Sequence, residues 1–165
     1  MRPGSIEVSS ETSAAGRRVP IDKAHPAVYQ AQLGVAKAVR HATAEVGFDR
    51  RTVELLNVRI SQINRCAFCL DVHVGAALAA GESTQRIAVL TAWRETSLFS
   101  PREQAALTLA ESITTLPDAH TQERDYEYAH SILSDDEISA VSWVAVAMNA
   151  FNRLSIVSAH QVRAR

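Results

Sequence analysis

The chain has 165 residues, a net charge of −1 and an isoelectric point near 6.6, so no large field of either sign draws it to nucleic acid or an anionic membrane. A hydrophobic share of 47 % against 21 % charged residues is the composition of one globular domain, long enough to bury a core without crosslinks. Aromatic residues are only 5 % and alanine is abundant, which favours closely packed helices over sheets.

Residues 1–19 are rich in Ser, Gly, Thr and charge without a period, and are expected to be a mobile tail ahead of a single domain over 20–165. They hold no apolar run of the kind a secretory signal needs, and the apolar stretches elsewhere read as too short to span a bilayer. The expected location is therefore cytoplasmic. Pro20 and Pro26 punctuate the start of the first helix, predicted over Ala27 to Val46. Val28, Leu33, Val35, Ala36 and Val39 are spaced along it as a buried stripe, and Gly47 is its stop. Asp49 caps a second helix carrying Val53, Leu55, Leu56, Val58, Ile60 and Ile63. Asn64 reads as a break and a new N-cap, with a third helix from about Arg65 to Ala80 that ends at Gly81.

Ser83 or Thr84 opens a shorter helix through Ile87, Leu90 and Trp93. Ser100-Pro101-Arg102-Glu103 combines a capping box with proline at the first helical position, and that helix runs to about Thr115 before Pro117. Thr121 to Leu133 is a weaker helix. Ser134-Asp135-Asp136-Glu137 is a second capping box, opening a long apolar helix through Ile138, Val141, Val144, Ala145, Met148 and Phe151. No segment alternates with period two. The predicted class is all-α, with six to eight helices.

The chemistry concentrates between Glu54 and His73. The two cysteines, Cys66 and Cys69, are three apart, and His73 follows Cys69 by four, so all three share one helix face. Such a pair is reactive, metal-binding or incidental. Near a helix N-terminus the unpaired N–H groups favour a thiolate. His73 can take the proton from Cys69, and Glu54 can orient that histidine if the two helices fold back on each other, giving a nucleophile, a base and an orienting carboxylate.

Glutamate, eleven residues, Cys-x-x-Cys, three residues and histidine is a motif that Glu54, Cys66, Cys69 and His73 match at every spacing. By it the chain resembles the alkylhydroperoxidase D-like family of the carboxymuconolactone decarboxylase superfamily. The resemblance extends over about residues 20–160, through the Gly81-Glu-Ser turn and the closing run Met148-Asn-Ala-Phe-Asn-Arg153. It implies a multihelical bundle and a thiol-dependent peroxidase that reduces hydroperoxides. It also implies the roles: Cys69 as the attacking thiol, Cys66 as proton donor and resolving thiol, His73 and Glu54 as the proton relay. No cofactor is implied beyond a redox-active Cys66–Cys69 disulfide. The implied reductant is a dithiol or a thioredoxin- or lipoyl-type protein, and the implied assembly a homotrimer or homohexamer, with no nucleic-acid or membrane partner. One position departs: the family histidine just before the second cysteine is Phe68 here, which removes a polar group beside the thiols.

Three other readings stand beside this one. The cysteine pair can act as a redox switch in a sensing oligomer with little turnover. The chain can belong to the decarboxylase branch, whose chemistry does not use a cysteine pair. A zinc site would need a fourth ligand from His120, His130 or His160, which show no ligand spacing. Trp93 and Trp143 read as core or interface anchors, and His120, Glu123, Asp125, Glu127 and His130 as a solvated face. Asn149, Asn152 and Arg153 are polar residues on an apolar helix, suited to bonding helix ends, a subunit contact or the thiol pocket.

Overall fold

The computed structural model describes residues 18–164. Apart from Arg18 and Val19, the expected tail lies outside them; the Arg18 guanidinium donates to the Ile156 carbonyl at 3.0 Å. The described residues form eight α-helices and one 3-10 helix, with no strand. In chain order they are α1 (Ile21–Ala24), α2 (Pro26–Glu45), α3 (Arg50–Ile63), α4 (Ala67–Ala79), α5 (Thr84–Val89), the 3-10 helix (Leu90–Glu95), α6 (Pro101–Thr115), α7 (Ala119–His130) and α8 (Asp135–Val157).

Local chemistry sets most boundaries. Asp49, Ser83, Asp118, Ser100 and Ser134 each accept a backbone N–H with their side chains, and the last two complete capping boxes with Glu103 and Glu137. Gly47 and Gly81 take left-handed backbone angles, φ 74° and 88°, just past α2 and α4, which a side chain would oppose.

The core lies among α3, α6 and α8. Val53, Leu55, Leu56, Val58 and Ile60 of α3 meet Ala105, Ala106, Leu107 and Ala110 of α6 and Val141, Val144, Ala145 and Met148 of α8. Many small residues line it, so the helices approach closely. The apolar face of α8 is therefore occupied within the subunit. By length and composition this 23-residue helix could cross a membrane, contrary to the expectation that no stretch is long enough; its inner face is packed as a core helix instead.

One expectation is corrected by burial. Of the α2 stripe only Val39 is buried and Ala36 half-buried, while Val28, Leu33 and Val35 stay exposed, because α2 lies at the margin of the bundle. Of the two tryptophans read as core or interface anchors, Trp93 is in the core and Trp143 is 53 % exposed on the outer face of α8. The α7 cluster is on an outer face as read: His120, Glu123, Glu127 and His130 are exposed.

Candidate active site

The turn between α3 and α4 differs from the sequence reading. Asn64 is the C-cap of α3, not the N-cap of α4. Arg65 takes the left-handed conformation at φ 56°. The Arg65 N–H then bonds the Gln62 carbonyl and the Cys66 N–H bonds the Ser61 carbonyl, closing a Schellman turn. Cys66 is itself the N-cap of α4, in extended backbone, and Cys69 falls in the first helical turn. The chain reverses within three residues, so α4 runs back along α3.

That reversal brings the distant half of the motif together. Glu54 lies roughly 13 Å up α3 from the turn and His73 roughly 9 Å along α4, at 1.5 Å rise per residue. They meet side by side: His73 Nδ1 is 2.6 Å from Glu54 Oε2. Glu54 is 1 % exposed. Arg50 reaches its Oε1 at 2.5 Å, and the Asn57 amide donates to Oε2 at 3.3 Å. Burial opposes the charge on Glu54, but the bond and charge of His73, with Arg50 and Asn57, outweigh it and hold the carboxyl below its usual range. The carboxylate stays ionised and fixes the ring, leaving Nε2 available.

Both thiols are free and buried, and the Cys66 thiol bonds the Cys69 sulfur across 2.8 Å. Burial first, and then Cys66 beside it, push the Cys69 thiol up to about 11, since two thiols so close resist ionising together. Hydrogen bonds from Ser155 and Asn152 pull the other way without reversing the result. The Cys69 thiol therefore stays protonated at neutral pH and needs a base to ionise.

Cys69 and His73 line one cavity of about 840 Å³, walled by Phe68, Val72, Met148, Phe151 and Leu154. No hydrogen bond joins His73 directly to either sulfur among the described residues, but the Cys69 and His73 side chains both face this shared space. His73 and Glu54 also border a second cavity of about 200 Å³ with Arg40, Arg50 and Asn57.

The sequence reading left open what Asn149 and Asn152 do. The Asn64 amide donates to both, Asn149 Oδ1 at 2.9 Å and Asn152 Oδ1 at 2.8 Å. Asn152, fully buried, donates onward to Ser61 Oγ at 3.1 Å and bonds Cys69. Arg153 turns back to the Asn149 carbonyl and side chain. Together Asn64, Asn149 and Asn152 tie the α3–α4 turn to α8. Ser155 was missed; its position one turn after Asn152 on the same face was the available signal. No three His, Cys, Asp or Glu side chains among the described residues gather as metal ligands.

Fold and site together define a helical protein with a buried dithiol and an adjacent carboxylate–histidine pair. The carboxymuconolactone decarboxylase family model matches residues 26–112, and the chain belongs to that family. It is 34 % identical over 123 residues to the uncharacterized protein YdfG of Bacillus subtilis, covering 74 % of this chain and 84 % of that one. It is 32 % identical over 63 residues to the uncharacterized protein YnjA of Escherichia coli, covering 38 % and 35 %. The crystal structure of an Agrobacterium tumefaciens protein of unknown function, described as a candidate antioxidant defence protein AhpD, superposes with a TM-score of 0.81 at 27 % identity. That match covers 91 % of this chain and all of the other. The bundle is thus of the alkylhydroperoxidase D-like type.

Proposed function

We propose that the protein is a thiol-dependent peroxidase acting in antioxidant defence. The observation that carries this reading is the buried Glu54 carboxylate 2.6 Å from His73, which borders the cavity that holds a thiol too weakly acidic to ionise unaided. Family membership and the Agrobacterium neighbour support it.

In the proposed cycle His73 takes the Cys69 proton. The thiolate attacks the terminal oxygen of a hydroperoxide, forming the S–O bond as the O–O bond breaks. The sulfur is oxidised by two electrons, and the departing alkoxide takes the proton back from His73 to become an alcohol. Cys66 then displaces hydroxyl from the sulfenic acid, its own proton leaving with it as water, and the Cys66–Cys69 disulfide forms. A dithiol or a thioredoxin- or lipoyl-type protein returns two electrons and two protons.

Free thiols counted after cumene hydroperoxide is added to reduced protein test this reading. Both thiols are expected to disappear in the wild type. Cys69→Ser should abolish peroxide consumption, and Cys66→Ser should leave a sulfenic acid trapped on Cys69. Survival of both wild-type thiols sinks the proposal.

One observation favours the switch as a second reading. Asn64, two residues before Cys66, is bonded to α8, whose outer face carries exposed Trp143 and Val146. A change of oligomer size on oxidation, without turnover, would select it.

A further inference from the structure

A second histidine borders the thiol cavity, from a different part of the chain. His160 lies three residues past α8 and packs edge-on against Phe68, ring centroids 5.0 Å apart at 66°. Phe68 sits between the two cysteines. The position of His160 is fixed from several sides. Its Nε2 meets Asp22 Oδ1 of α1 at 3.3 Å, and its backbone N–H bonds the Ser155 carbonyl. The Ile21 N–H donates to Ser158 Oγ at 3.1 Å, tying α1 to the same turn.

Its Nδ1, by contrast, is buried with no hydrogen-bond partner. A carboxylate only accepts, so Asp22 keeps the proton of the neutral ring on Nε2 and leaves Nδ1 as a bare acceptor. Folded proteins rarely leave a buried acceptor unmatched, and such atoms concentrate where a ligand supplies the missing donor. His160, Asp22, Phe68, Cys69 and His73 all line the same cavity of about 840 Å³. That space far exceeds what hydrogen peroxide fills, and its apolar side chains suit a bulky organic group.

We propose that His160 is a substrate-binding residue of this cavity, accepting the O–H of a bulky apolar hydroperoxide at Nδ1 while Asp22 holds the ring. The inference rests on the peroxidase reading and adds the substrate class and its polar anchor. Phe68, half-buried against the imidazole, shifts to admit the hydroperoxide to Nδ1. The hydrogen bond aims the terminal oxygen at Cys69. That oxygen keeps its hydrogen when it passes to sulfur, so His160 neither gains nor loses a proton in the cycle.

The test follows free-thiol loss in reduced full-length protein mixed with cumene hydroperoxide, with alkylation by iodoacetamide in parallel. His160→Phe keeps a ring against Phe68 and removes Nδ1. It should slow hydroperoxide oxidation about tenfold, the loss of one hydrogen bond, and leave alkylation within about twofold. His160→Asn restores an acceptor at the δ position and should recover most of the rate despite losing the ring. Asp22→Asn should fall between. An unchanged hydroperoxide rate in His160→Phe overturns the inference, as does an equal slowing of alkylation, which would place His160 in the thiol's own environment. Wild-type thiols inert to the hydroperoxide sink the peroxidase reading and this inference with it. Normal wild-type oxidation with an indifferent His160→Phe sinks the inference alone.

Discussion

Glu54 is a charge held where water does not reach, and it survives there because three neighbours face it. Its folded pKa lies below the ordinary 4.5, so the stabilisation it brings is complete above that value and fades as pH falls through the lower, folded one. Glu54→Gln should therefore lower unfolding free energy at pH 7 by about 1–3 kcal/mol. The gap to wild type should close progressively in urea melts taken from pH 5 downward; a gap constant with pH would refute the assignment. Cys69 has the opposite sign, its thiol raised to about 11. His73→Gln should slow hydroperoxide oxidation at neutral pH about a hundredfold, the usual worth of a general base. The deficit should narrow as pH approaches 11, where hydroxide ionises Cys69 without help, and a deficit independent of pH would assign His73 a purely structural part. Cys66, Cys69 and His73 were legible as one group because their spacings are helical and local, whereas Glu54 was reached through the family motif and the condition that α3 and α4 fold back on each other. Asn152 was legible only as one of three polar residues with several possible places, and Ser155 and His160 were not legible as neighbours of Cys69 and Phe68, since nothing in the spacing of a residue eighty positions away says which turn it will face.

At the scale of elements, the capping boxes at Ser100 and Ser134 were readable because the groups involved lie within one turn of each other. The α3–α4 junction was misread for a physical reason: asparagine suits an N-cap and a helix end alike, and the left-handed residue is Arg65, a side chain that normally avoids that conformation. Relieving it should help. Arg65→Gly is expected to raise stability by up to about 1 kcal/mol, the left-handed strain removed less the added chain entropy. Chemical denaturation would show it, and a loss of stability would mean the exposed Arg65 side chain makes a contribution larger than its strain. The α2 stripe shows another limit. Periodicity identifies an apolar face but not whether its partner is on the same chain.

For the whole molecule, those unpartnered faces form a pattern. Val28 of α2 and Ala150 and Val157 of α8 border one groove of about 420 Å³, and Trp143 and Val146 continue the outer face of α8. Exposed apolar surface of this extent marks association sites. The expected assembly is a homo-oligomer, a trimer or hexamer by family resemblance. Sedimentation velocity should find the wild type associated and the double variant Trp143→Glu, Val146→Glu dispersed to single chains. A wild type that sediments as a single chain contradicts this.

The bond from Asn64 to Asn152 also has a consequence for biosynthesis. The segment holding Glu54, both cysteines and His73 leaves the ribosome well before the helix that supplies Asn152, Ser155 and the turn to His160. Until then the nascent hairpin carries two thiols with no α8 over them, open to stray oxidation or mixed disulfides. Helix α8 and the turn after it thus act as a cover for the two thiols. A message cut short after α7 would yield an unshielded dithiol, a substrate for the cell's quality control.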